Sequence, residues 1–161
     1  MSSILDIPEV TVSFEEKTTW VSLVVTVVVL GVYSSFVLGQ LHRVPVLQIA
    51  YQWPMIITIG AMIVMTIVGT ILMSIGTAIS AEIRGKGSVD DIGRTDERDK
   101  HINRRSELVG YYVSSAGVLG VLALAMLRYD QFWIANALYL AMMVGGLASA
   151  AAKLVAYRRG F

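Results

Sequence analysis

From Pro54 to Ala81 the chain runs for 28 residues without a charged side chain. As a helix this run is about 42 Å long at 1.5 Å per residue, against a bilayer hydrocarbon core of about 30 Å. Three more runs of the same kind lie at about 20–40, 108–127 and 132–152. A charged side chain at mid-bilayer costs roughly 2.5–3.5 kcal/mol on insertion scales, so long charge-free runs are the mark of membrane spans. Hydrocarbon offers the backbone no partner but itself, which makes each run a helix. The expected fold is therefore all-α: a polytopic membrane protein with four transmembrane helices in one bundle.

The spans divide the chain. Residues 1–18 read as an N-terminal arm on the membrane surface and 19–161 as the bundle, with a charged connection at 84–107. Met1 to Val12 lacks a basic leader, and the first apolar run is too long for a cleaved signal, so it is read as a retained span. Ser13 with Glu16 has capping-box spacing, and Glu15 and Glu16 suit the positive end of a helix dipole. Pro45 begins a stretch that reads either as a short interfacial helix, with Val46, Leu47, Ala50 and Tyr51 on one face, or as an apolar loop packed on the bundle. Thr95 caps a helix that continues unbroken into the third span. Tyr129-Asp130 is so short a turn that spans three and four must be antiparallel neighbours.

Lys and Arg are distributed unevenly. Eleven fall in the arm, the 84–107 connection and the tail, and only Arg43 and Arg128 fall on the other side. The positive-inside rule then puts both termini and the connection in the cytoplasm. Trp20 and Tyr157 mark the inner interface, and Trp53, Tyr129 and Trp133 the outer one. Lys153, Arg158 and Arg159 at the end of span four suit both the helix C-terminus and anionic headgroups.

Chemistry inside the spans is sparse. They hold no Asp, Glu, Lys, Arg or His away from their ends, the residues by which pumps, ion-coupled carriers and voltage sensors declare themselves. No cysteine exists, which excludes disulfides and thiolate chemistry. His42 and His101 fall on opposite sides of the membrane, which disfavours a bis-histidine haem. Gly85-Lys86-Gly87-Ser88 lacks the spacing and context of a phosphate-binding loop. No cofactor and no nucleic-acid partner are expected.

Three groups of residues remain. Ala137, Ala141, Gly145 and Ser149 repeat every four positions in span four, with Ala116 and Gly120 in span three, a pattern that lets helices approach closely and leaves self-association open. Asn136 is placed to bond a neighbouring helix. Thr66, Thr70, Ser74 and Thr77 form a hydroxyl stripe on span two that could line a polar path, although such hydroxyls more often bond their own backbone.

The third group is the segment Arg94 to Glu107, the densest run of charge in the chain. Helical spacing pairs Asp96 with Lys100, Glu97 with His101 or Lys100, and Arg104 with Glu107, each worth about 0.2–0.5 kcal/mol. Arg104 and Arg105 suffice as headgroup anchors. The surplus of paired acids fits a docking surface, formed by Asp96, Glu97, Arg98, Asp99, Arg104 and Arg105, for a partner protein or for the ends of the other helices.

Ser13-Phe14-Glu15-Glu16-Lys17 with Trp20, Asp96-Glu97-Arg98-Asp99 with Ile102, Phe132-Trp133-Ile134-Ala135-Asn136 and Tyr157-Arg158-Arg159-Gly160-Phe161 occur in this order. The set resembles a group of small four-span bacterial membrane proteins of unknown function, mainly actinobacterial. The resemblance implies the four-span fold and the bacterial plasma membrane, and transfers no catalytic residue. The expectation is a non-enzymatic accessory or regulatory subunit with its contact helix at 94–107. A small channel or carrier lined by the hydroxyl stripe is the alternative, and a surface metal enzyme built on Glu97, Asp99 and His101 comes third.

Overall fold

The computed structural model describes residues 14–41, 43–84 and 97–159. They form four long helices: α1 (Phe14–Leu41), α2 (Gln52–Arg84), α3 (Glu97–Met126) and α4 (Gln131–Arg159). All four are long and apolar enough to cross a membrane. The capping positions expected at Ser13 and Thr95 lie outside the described residues, as do His42 and the 85–96 part of the connection.

Packing follows a simple order. α3 lies on α4, α4 on α1, and α1 on α2. The two middle helices, α1 and α4, carry most of the buried residues, while the spanning stretch of α2 has none. Ile56, Ile63, Ile67, Ile71 and Leu72 of α2 are more than half exposed, which in a bilayer means contact with lipid. Such exposure carries no hydrophobic cost there, because lipid tails are as apolar as the side chains they touch.

The turn between α3 and α4 is built by hydrogen bonds. Arg128 has a φ of 57°, in the left-handed region. Its N–H donates to the Ala125 carbonyl at 3.0 Å and the Tyr129 N–H to the Leu124 carbonyl at 3.1 Å. These are the two bonds of a Schellman cap, here with an arginine where glycine usually sits. The Asp130 carbonyl then accepts from Trp133 and Ile134, and α4 has begun.

Where α3 and α4 meet, backbone touches backbone. A Cβ on Gly110 would stand 2.8 Å from the Gly145 carbonyl oxygen and 2.8 Å from Ser149 Cβ, and one on Gly117 would stand 2.5 Å from Ala141 Cβ. Ala141, Gly145 and Ser149 therefore stand at the closest approach, and Ala137 lines a groove beside it. The α3 side of the closest contact is Gly110, Ser114 and Gly117; of the expected pair, Gly120 is exposed and lines the same groove as Ala137, and Ala116 is exposed outside it. Both α3 sets have helical spacing; they differ in which face of the helix they occupy.

After Pro45 the chain makes a single 3₁₀ turn, Val46–Gln48, and then extends. This is the packed loop and not the interfacial helix. Ile49 and Tyr51 are buried, whereas Leu47 and Ala50 face outward. Both buried side chains join a core with Tyr33, Val37, Phe132, Tyr139 and Met143 at the turn end of the bundle. Aromatic edges organise it: Tyr51 and Phe132 sit at 5.3 Å and Tyr33 and Tyr139 at 4.8 Å between ring centroids. The bond anticipated for Asn136 is present, with the Tyr33 hydroxyl donating to its Oδ1 at 2.7 Å.

Candidate functional site

The start of α1, the start of α3 and the end of α4 meet at one end of the bundle. The antiparallel order brings them there, and five polar side chains join them. Lys153 Nζ on α4 donates to Glu15 Oε2 on α1 at 2.7 Å, and Asn103 Nδ2 on α3 approaches the same oxygen at 3.5 Å. One turn further out, the Tyr157 hydroxyl on α4 donates to Asp99 Oδ1 on α3 at 2.9 Å. One carboxylate thus links α1 to α4 and α3, and a second ties α3 to α4.

The Lys153 side chain is 15% exposed and that of Glu15 is 26% exposed, so this pair is sheltered from water and from screening salt. Glu15 also supports its own helix. The hydroxyls of Thr18 and Thr19 both donate to its carbonyl, at 3.0 and 2.7 Å. Across the same end, Arg158 lies 5.7 Å from the centroid of the Trp20 ring, within the range of a cation–π contact. Ile102 and Ser106 are buried beside the junction and complete the inner face of α3.

The charged segment is thereby divided along its length. Asp99, Ile102, Asn103, Ser106 and Gly110 face the bundle, while Glu97, Lys100, His101, Arg104, Arg105 and Glu107 are exposed. Lys100 and Glu97 pair at 2.7 Å with both side chains largely in solvent. Arg104 and Glu107 form no ion pair among the described residues. Asp96 and the side chain of Arg98 lie outside the described residues. Part of the acid surplus thus serves the bundle itself: Asp99 accepts from Tyr157 on α4 and forms no ion pair along its own helix among the described residues.

Glu15, Asn103, Lys153 and Tyr157 were not anticipated as one cluster. The sequence alone assigns Glu15 to the helix dipole and Lys153 to the helix C-terminus and anionic headgroups. Opposite charges at the same end of neighbouring spans were the available signal. Among the described residues, no three His, Asp or Glu side chains converge in a way that would hold a metal ion.

The hydroxyl stripe of α2 satisfies itself at two positions. Thr70 Oγ1 donates to the Thr66 carbonyl at 2.8 Å and Ser74 Oγ to the Thr70 carbonyl at 2.9 Å. Thr66, Thr70 and Ser74 are half-buried, and the Thr77 side chain lies outside the described residues. Gly69, on the same side, lies against Val21 of α1. This side of α2 faces its neighbouring helix. Comparison of the chain with protein-family models, curated proteins and solved structures finds no match.

Proposed function

We propose that this protein is a non-enzymatic accessory or regulatory subunit of a bacterial plasma membrane. Its termini lie in the cytoplasm, and it meets its partner through the first three turns of α3. One observation supports this reading above the others: the junction consumes the inner face of that segment and leaves a mixed-charge row, Glu97, Lys100, His101 and Arg104, exposed. A pure headgroup anchor would carry only bases there, since anionic lipid repels Glu97 and Glu107. A row of both signs on a rigid helix suits a protein surface of complementary pattern, where charge sets orientation and selects the partner.

The clamp supports the same reading. With Asp99 and Asn103 tied to α4 and α1, the outward row moves with the bundle and is preorganised for contact, which lowers the ordering cost of binding. A photo-crosslinking side chain at Lys100 or Arg104, in native membranes, is expected to capture a discrete protein, and the same probe at Leu122 is not. Adducts with lipid alone at positions 100 and 104, and with no protein including a second copy, would refute the proposal.

A further inference from the structure

Between α1 and α4, in the half of the bundle nearer the α3–α4 turn, lies a cavity of about 270 Å³. Leu38, Trp133 and Leu140 form part of its wall and are exposed on the outer surface of the bundle, so the cavity borders the bilayer. No charged side chain lines it, but Tyr33, Ser34, Asn136 and Tyr139 do.

These polar groups are incompletely used. The Asn136 amide accepts from Tyr33 and donates one N–H to the Phe132 carbonyl at 2.8 Å, which leaves its second N–H unmatched among the described residues. Tyr139 is only 5% exposed, and its hydroxyl is buried with no partner among the described residues. Ser35 donates to the Val32 carbonyl at 2.9 Å, whereas the Ser34 hydroxyl makes no hydrogen bond among the described residues. Hydrocarbon supplies no water to satisfy such groups. Each of the three has a hydrogen to donate, so the complementary molecule is neutral and brings acceptors.

We propose that this cavity binds a lipid-soluble carbonyl compound entering sideways from the bilayer. The carbonyl oxygen accepts from Asn136 Nδ2 and from the Ser34 and Tyr139 hydroxyls, and the apolar remainder runs out past Leu38 and Leu140. Asn136 lies three residues beyond Trp133, about 4.5 Å deeper along the helix. A tryptophan belt marks the headgroup level, so the polar cluster sits just inside it, where a carbonyl on an apolar tail resides. The volume is slightly below the roughly 300–1,000 Å³ of pockets that enclose whole drug-sized ligands. It therefore takes the polar end of the molecule and leaves the tail in the bilayer. The same chemistry comes from two sources, the acyl ester of a bilayer lipid or a free quinone.

Trp133 in the cavity wall provides the readout. With Trp20→Phe and Trp53→Phe, it is the sole tryptophan of the full-length chain, which is reconstituted in vesicles of an ether-linked phosphatidylcholine that has no carbonyl. One arm adds decylubiquinone; the other adds a diester phosphatidylcholine brominated on its acyl chains. Saturable quenching by the quinone assigns the site to a free quinone, and quenching by the brominated lipid beyond its mole fraction assigns it to a bilayer ester. In whichever arm responds, Ser34→Ala and Tyr139→Phe, both of which preserve packing, are each expected to weaken binding about fivefold, the effect of one hydrogen bond. Quenching that merely follows mole fraction in both arms overturns the proposal. So does saturable quenching that neither substitution weakens.

Discussion

Lys153 and Glu15 provide the sharpest test of how the bundle is held at its charged end. At an effective dielectric of about 20, two unit charges roughly 4 Å apart gain about 4 kcal/mol. Partial desolvation of both groups offsets much of this gain, and a hydrogen bond involving a charged group contributes about 1.5–3 kcal/mol net. The pair is sheltered but not sealed, with side-chain exposures of 15% and 26%. A coupling free energy of about 1.5 kcal/mol is therefore expected, above the roughly 0.2–1 kcal/mol of fully exposed pairs. The single substitutions are asymmetric. Glu15→Gln leaves the more buried ammonium without its counter-ion and is expected to cost about 2 kcal/mol. Lys153→Met keeps the apolar stem and leaves the more exposed carboxylate, so it costs about 1 kcal/mol. Reversible unfolding of the two single variants and the double variant in mixed micelles closes the thermodynamic cycle. The coupling is expected to change little between low and moderate salt. A coupling indistinguishable from zero, or one abolished by 0.3 M salt, would show that the two groups share a membrane face without forming the sheltered bond.

Gly145→Val puts branched carbons where Ser114 and the Gly110 carbonyl already sit, the latter 3.0 Å from the added Cβ. It is expected to destabilise α3–α4 packing by about 2–3 kcal/mol, in the range of overpacked cores, and a disulfide-trapping scan across the two helices would show the separation. Arg128→Gly removes the left-handed strain of a side chain at φ 57°, offset in part by the greater freedom of glycine in the unfolded chain. A net gain of about 0.5 kcal/mol in the same unfolding assay is expected, and a loss would mean that the arginine side chain contributes more than its backbone costs. Tyr33→Phe leaves Asn136 Oδ1 without its donor inside the bundle and is expected to cost about 1–2 kcal/mol. Thr70→Val is expected to lie within 0.5 kcal/mol of neutral, because that hydroxyl bonds only the Thr66 carbonyl of its own helix.

The fold was legible wherever one strand of physics decides the outcome. The absence of charge from four runs makes them spanning helices, and the brevity of the Tyr129-Asp130 turn makes α3 and α4 neighbours, whatever the rest of the sequence does. Rotation of each helix about its own axis is a different matter. Small residues at four-residue spacing mark a face that a neighbour can approach, yet α3 carries two such rows. Gly110, Ser114 and Gly117 pack against α4, while Gly120 only borders the groove beside that contact and Ala116 is exposed. What distinguishes the rows is the polar junction below them. Asp99, Asn103 and Ser106 continue the Gly110 row toward the helix start, and bonding Tyr157 and Glu15 turns that row inward. The charged segment and the packing face are thus one decision. Polar side chains at the membrane end set the rotation, and the glycines make the chosen rotation close enough to pack. The outward row of Lys100, His101 and Arg104 follows from the same rotation, which is why breaking the Glu15–Lys153 pair should disturb the presentation of that row before it unfolds the spans.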